Sequence, residues 1–300
     1  MKKGLTVLAI LLLLTVSIVL PAQTDNPLRN NYNCFYLNAG KVNDSSLAFK
    51  TKEKTLRAKN FTIVADKNDY IYIDFASNYN MFLYLESNDR SVYKVFAGTR
   101  AENYDGAGSA IYTEFKVPKK DSFHLFVVNN DKSDVAFFNL GLMVLNPSAF
   151  NSNREEATFE NRLETLLDFR KLKLQPLKQD LLTGKEADPY SDKTYSTFFE
   201  LIKGTPMTYY KPWTSDAYIE TSLFKTSTRA AAIAELSKYK NKLDAWFKGN
   251  KKITSSTVKN EKDASLTGIS YTDQSFSSTP IIELSFKNEN GVYILVFKMR

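Results

Sequence analysis

Between residues 55 and 145 apolar and polar side chains alternate with a period of two, in the runs "TLRAKNFTIV", "YIYIDF", "MFLYLE", "SVYKVF", "SAIYTEFKV", "SFHLFVV" and "AFFNLGLMVL". Period two is the signature of a strand with one buried side, and these runs are rich in β-branched and aromatic residues. Between them stand "ADKND", "ASNYN", "ESNDR", "VPKKD" and "NNDKSD", whose Asn, Asp and Ser favour turns. Short strands this close together predict an antiparallel, jelly-roll-like β-sandwich over residues 23–150 rather than a βαβ fold.

Near Pro147 the pattern breaks and the period changes. "EEATFENRLETLLDFRKLKLQ" places Phe159, Leu163, Leu166, Leu167 and Leu174 at helical spacing, acids first and bases last, as the helix dipole favours. A second helix is predicted in "STRAAAIAELSKYKNKLDAWFKG", with Ser227 or Thr228 as cap, Ile233, Leu236, Leu243 and Phe247 as the buried stripe, and Gly249 at the C-terminal turn. Strands are predicted in "AYIETSLF", "ASLTGISYT", "PIIELSFK" and "VYILVFKM", the last two joined by Asn290-Gly291, a preferred type I′ hairpin pair. Residues 151–300 therefore read as an α+β domain, an antiparallel sheet with helices on one face. Residues 179–215 hold too many breakers to yield an element and read as a long loop. No internal repeat is visible.

The first residues, "MKKGLTVLAILLLLTVSIVLPAQ", put Lys2 and Lys3 before an apolar run and then small and polar residues, the order of a secretory signal peptide over residues 1–22. The run is short for a membrane span, so the expected product is secreted or periplasmic, with no span after cleavage. One cysteine, Cys34, closes no intramolecular disulfide and, in "NCFYL", reads as a core residue. Loss of Lys2 and Lys3 lowers the formal charge from +7 to +5. The one dense basic cluster, "RKLKLQPLK", alternates with leucines as a solvated helix side does. No nucleic-acid partner is predicted.

The chemistry permitted is narrow. His124 is the single histidine and lies mid-strand, which excludes a metal site needing two imidazoles and leaves no Ser-His-Asp or Cys-His arrangement without it. No phosphate-binding glycine loop occurs, and no cofactor is predicted. Paired carboxylates remain open: Asp188, Asp192 and Glu200, near Tyr209 and Trp213, are the candidates for a secreted hydrolase. Glu102, Asn103 and Asp105, beside two glycines, offer oxygen ligands of the kind that hold Ca²⁺, although the spacing is not that of an EF-hand and an ordinary turn accounts for them.

In "DYIYIDFASNYNMFLYLESN" the alternation sends Ile71, Ile73, Phe75, Met81, Leu83 and Leu85 inward and Tyr70, Tyr72, Phe82 and Tyr84 outward. Read as a hairpin, it gathers four rings on one face, a surface suited to a glycan or a protein. Cross-strand packing, or cover by the second domain, is the alternative use of the same rings.

The order of features over residues 55–146 resembles the bacterial pre-peptidase C-terminal domain, a small β-sandwich attached to many secreted proteins. "DYIYIDF" matches its strand after the first turn, "NMFLYLESNDRSV" its central strand and turn, and "SAIYTEFKVPKKDSFHLFVVNN" its closing pair. Ser122-Phe123 stands where that family has a glycine-tyrosine pair. The resemblance implies an accessory, non-catalytic module. The expectation is an exported binding protein, with a carboxylate hydrolase or a structural envelope component as alternatives.

Overall fold

The computed structural model describes residues 16–17, 26–43, 45–50, 55–97, 99–100, 109–130, 135–146, 150, 157–250, 252–259, 267–274 and 280–300. The chain is mainly β with an α+β part, and it divides into two compact units, one built on Phe35–Val144 and the other on Ala22–Cys34 together with Leu145–Arg300. Residues 26–34 group with the C-terminal unit.

In the first unit two sheets face each other. One has the order β1 (Val16–Ser17), β4 (Thr55–Ala65), β10 (Asp121–Asn129), β6 (Met81–Ser87), β7 (Tyr93–Ala97), with β3 (Leu47–Lys50) also paired to β4. The other runs β2 (Tyr32–Val42), β11 (Ala136–Leu145), β5 (Tyr70–Ser77), β9 (Ser109–Lys116), β8 (Thr99–Arg100). All seven alternating runs are strands, and they bury the side their pattern marks: Ile71, Ile73, Phe75, Met81, Leu83 and Leu85 share one core with Phe61, Phe123, Leu125 and Phe138. Each such side chain removed from water contributes roughly 1.5–3 kcal/mol. Strand β1 falls in the segment read as a leader and pairs in parallel with Phe61 and Thr62.

The stretch "DYIYIDFASNYNMFLYLESN" is not a hairpin. β5 and β6 lie in different sheets, so the chain between them arches across the sandwich. Ser77 Oγ accepts from Tyr79 N at 3.0 Å and donates to Phe137 O at 2.6 Å, and Ser109 Oγ accepts from Met81 N at 3.0 Å. These bonds satisfy the backbone of the arch where ladder partners end.

The second unit is one eight-stranded antiparallel sheet with helices on one side. Helix α1 (Phe159–Arg170) is followed by β12 (Lys178–Thr183), β13 (Lys193–Thr197), β14 (Thr208–Lys211) and β15 (Tyr218–Thr226). Helix α2 (Arg229–Phe247) is followed by β16 (Ile253–Lys259), β17 (Thr267–Asp273), β18 (Pro280–Glu289) and β19 (Val292–Met299). The sheet order is β12-β13-β14-β15-β19-β18-β17-β16. Each half is thus a helix and a four-strand meander, and the halves join through their last strands, antiparallel to each other. The order is duplicated although the sequence shows no repeat. Residues 179–215 are not a loop: β12, β13, β14 and short turns occupy them.

Thr158 caps α1 with a reciprocal bond to Asn161. The helix ends at Arg170, ahead of Pro176, and Lys173 and Leu174 turn the chain at positive φ. In α2 the expected Leu236 and Leu243 are buried, together with Ala232 and Tyr239, whereas Ile233 is exposed and Phe247 half-buried. Asn290 and Gly291 both have positive φ, as a type I′ turn requires.

Residues 26–34 form a strap on α1. Asn26 Nδ2 donates to Asn161 O at 3.0 Å and Glu164 Oε2 at 2.8 Å, and Arg29 pairs with Glu164 at 2.9 Å and Asp168 at 3.1 Å. Tyr32 donates to Asp168 at 2.8 Å, and its ring joins a buried cluster of Phe150, Phe169, Phe198 and Phe199. Burial, reinforced by Asp168, pushes the Cys34 thiol up to about 12, which makes it a poor nucleophile.

Candidate binding surface

The sheet containing β4, β10, β6 and β7 carries an ordered outer face. Register aligns Thr62, His124, Glu86 and Tyr93 in one row across the four strands. The next row is Asn60, Phe126, Tyr84 and Val95, and the third contains Ala58, Val128 and Phe82. The side chains opposite each core residue come to lie side by side because period-two alternation is in phase across the strands.

The rings of these rows touch. Tyr84 and Phe126 are 6.2 Å apart, and Tyr84 stacks on Tyr93 at 6.4 Å. Phe49 of β3 lies 5.4 Å from Tyr84, 5.5 Å from Phe126 and 6.0 Å from Phe82, and so caps the apolar end of the face. Toward β7 the surface is open, with Tyr93 65% and Val95 58% exposed.

Beside the rings lies a polar patch. His124 Nδ1 stands 3.4 Å from both Asn60 Nδ2 and Thr62 Oγ1. Asn60 is buried, and its Oδ1 has no hydrogen-bond partner among the described residues. Burial, then the Glu86 carboxylate, raises the Tyr84 phenol above its ordinary value. The phenol therefore stays a donor near neutral pH.

The other expected rings lie on the outer side of the other sheet. Tyr70 and Tyr72 stack at 6.0 Å, with Lys116 Nζ 5.8 Å from the Tyr70 ring. Tyr72 is only 6% exposed, and burial followed by Glu114 raises its phenol. The four rings therefore do not share a face: Phe82 and Tyr84 remain together, whereas Tyr70 and Tyr72 are separated from them by the whole sandwich. Alternation fixes the side of a strand, but not which sheet the strand joins.

The carboxylate candidates each accept from a backbone N–H, Asp188 and Glu200 within a local turn and Asp192 from a residue 21 positions on. Asp188 Oδ1 accepts from Tyr190 N at 2.9 Å, Asp192 Oδ1 from Trp213 N at 3.0 Å and Glu200 Oε2 from Gly204 N at 3.0 Å. Tyr209 is fully buried, and exposed Trp213 meets Tyr190 edge-on at 6.2 Å. Among the described residues no three His, Cys, Asp or Glu side chains are grouped to hold a metal ion. Glu102, Asn103 and Asp105 lie outside the described residues. No described helix is long and apolar enough to cross a membrane.

Phe49, Tyr93, Phe126, His124, Asn60 and Thr62 escaped the sequence reading of this surface. The signal was present in "SFHLFVV" and "KNFTIV", whose outward positions alternate with the aliphatics as those of β6 do.

No family model and no curated protein matches the chain. Among solved structures it is similar to PliG of Aeromonas hydrophila, a periplasmic lysozyme inhibitor of g-type lysozyme, at 10% identity, over 43% of this chain and 95% of that one, TM-score 0.26. PliG of Salmonella Typhimurium stands at 11%, 43% and 96%, TM-score 0.26. A Paenibacillus cycloisomaltooligosaccharide glucanotransferase stands at 9% identity, over 89% of this chain and 45% of that one, TM-score 0.21. At these values the likeness carries no argument about function.

Proposed function

We propose that the chain is an exported, non-catalytic binding protein and that the outer face of β4, β10, β6 and β7 takes a carbohydrate. Export rests on the leader-like order of the first residues. The observation that carries the site is the juxtaposition of an aromatic row, Phe126 and Tyr84, with the neighbouring row of Thr62, His124, Glu86 and exposed Tyr93. A sugar has an apolar C–H face that packs on a ring and a rim of hydroxyls that needs donors and acceptors. Both are supplied here within neighbouring rows.

The test is a glycan array with the mature protein, followed by titration calorimetry of any hit against Tyr84→Ala and Tyr93→Ala. A ring at a binding hot spot costs about 2 kcal/mol or more when truncated, a loss of roughly thirtyfold in affinity. An empty array, or hits that bind both variants as they bind wild type, overturns the assignment. Capture of a protein partner through the same rings keeps the surface and replaces the ligand.

A further inference from the structure

We infer that the free edge of β16 is an acceptor for an extended polypeptide strand that carries a carboxylate at each end. This is independent of the carbohydrate surface and lies in the other unit. The eight-stranded sheet ends on β12 at one side and β16 at the other. The two edges are built differently. β12 pairs with β13 through two register shifts, carries Asp180 in its middle, and turns Lys178 over the Tyr195 ring at 4.1 Å. Bulges and charges of this kind block further strand pairing.

β16 has no bulge, and its one charged residue, Lys259, stands at its end. All seven residues, "ITSSTVK", pair with β17 in unbroken register from Ile253–Asp273 to Lys259–Thr267. Thr254, Ser255, Ser256 and Thr257 are all exposed. The direction of the free backbone groups follows from the ladder. Gln274 N donates to Lys252 O at 2.9 Å, so that pair faces inward. Antiparallel pairing alternates, and Thr254, Ser256 and Val258 therefore also bond to β17. Ser255 and Thr257 turn their N–H and C=O groups outward, where a further strand would meet them.

Charge selects the occupant. Lys252 and Lys259 are exposed at the two ends, with no charged side chain between them. A second copy paired antiparallel about Ser256, a register its outward groups allow, would set Lys259 opposite Ile253 and give it no acidic partner. An extended segment with acids seven residues apart, ~23 Å at 3.3 Å per residue, would meet a lysine at each end instead.

The probe is a labelled octapeptide of alternating valine and threonine with glutamate at both ends, measured by fluorescence anisotropy against the full mature chain. Expected are saturable binding, at least tenfold weaker binding of the lysine-ended peptide, and loss of binding when alternate amides on one peptide edge are N-methylated. Thr257→Pro removes an outward N–H without touching the β17 ladder and should abolish binding with little change in the melt. Should that variant unfold, Lys252→Glu with Lys259→Glu provides the second reading, because the preference must then pass to the lysine-ended peptide. Absence of binding, equal binding of all three peptides, or an unchanged preference in the charge-reversed protein overturns the inference. So does a concentration-dependent dimer that Thr257→Pro dissociates.

Discussion

Replacing Asp168 with alanine should loosen the strap from the second unit, and the size of the effect follows from its partners. Asp168 is 5% exposed and accepts from Arg29 at 3.1 Å, Tyr32 at 2.8 Å and Lys171 at 2.7 Å. The lysine is half exposed, and its bond counts for under ~1 kcal/mol. Arg29 keeps Glu164 at 2.9 Å, so its charge is not stranded and the full 3–5 kcal/mol known for broken buried pairs does not apply. What remains is a charge-assisted bond and a buried Tyr32 hydroxyl without its acceptor, together about 3 kcal/mol. For a unit of this size that is a fall of roughly 10 °C in Tm. Both tryptophans, Trp213 and Trp246, lie in the second unit, so urea unfolding followed by their fluorescence reports on that unit. Asp168→Asn, which keeps an acceptor for Tyr32, should lose about half as much. A loss below ~0.5 kcal/mol, or strict additivity of Asp168→Ala with Tyr32→Phe, would refute the view that the strap is held through this carboxylate.

Two further outcomes follow from burial. Tyr72→Ala should cost about 3–5 kcal/mol of stability, as for a packed ring, whereas Tyr93→Ala, at 65% exposure, should stay within about 0.5 kcal/mol; equal effects in thermal melts would contradict the assigned faces. The phenols of Tyr32, Tyr72, Tyr195, Tyr209 and Tyr271 are all raised above 10.0, chiefly by burial. The folded state then holds protons that the unfolded state releases, so stability should be present below about pH 10 and be lost as pH rises past it. Urea midpoints that stay level between pH 9 and 11.5 would argue against this, and Tyr209→Phe should make the decline shallower.

The strands of the sandwich were legible because their alternation is strict, and β6 buries every second residue from Met81 to Ser87. Sheet membership was not. The segment between β5 and β6, "NYN", lacks the Asn-Gly signal that correctly marked the β18–β19 hairpin, and the arch, held by Ser77 and Ser109, crosses the core instead of reversing in plane. Phe82 and Tyr84 kept their place on a candidate site, while Tyr70 and Tyr72 went to the opposite side. In residues 179–215, β12 to β14 have only four to six residues each, interrupted by Gly184, Pro189, Gly204 and Pro206, too short for periodicity to rise above the breakers. The strap was invisible for a different reason. Asn26, Arg29 and Tyr32 are polar residues whose partners lie more than 130 positions away, and no local pattern encodes that.

The junction of the two four-strand meanders has a consequence for partial chains. β15 and β19 are interior strands only because each finds the other, and β19, "VYILVFKM", is strongly apolar. A polypeptide stopped after β15, or one beginning at α2, would end its sheet on such a strand with a full row of unsatisfied amides and carbonyls. Because the halves share one layout and meet through equivalent strands running in opposite directions, a second copy of the same half fits that position. Truncated products should therefore be recovered as exchanged pairs or larger aggregates rather than as small monomers.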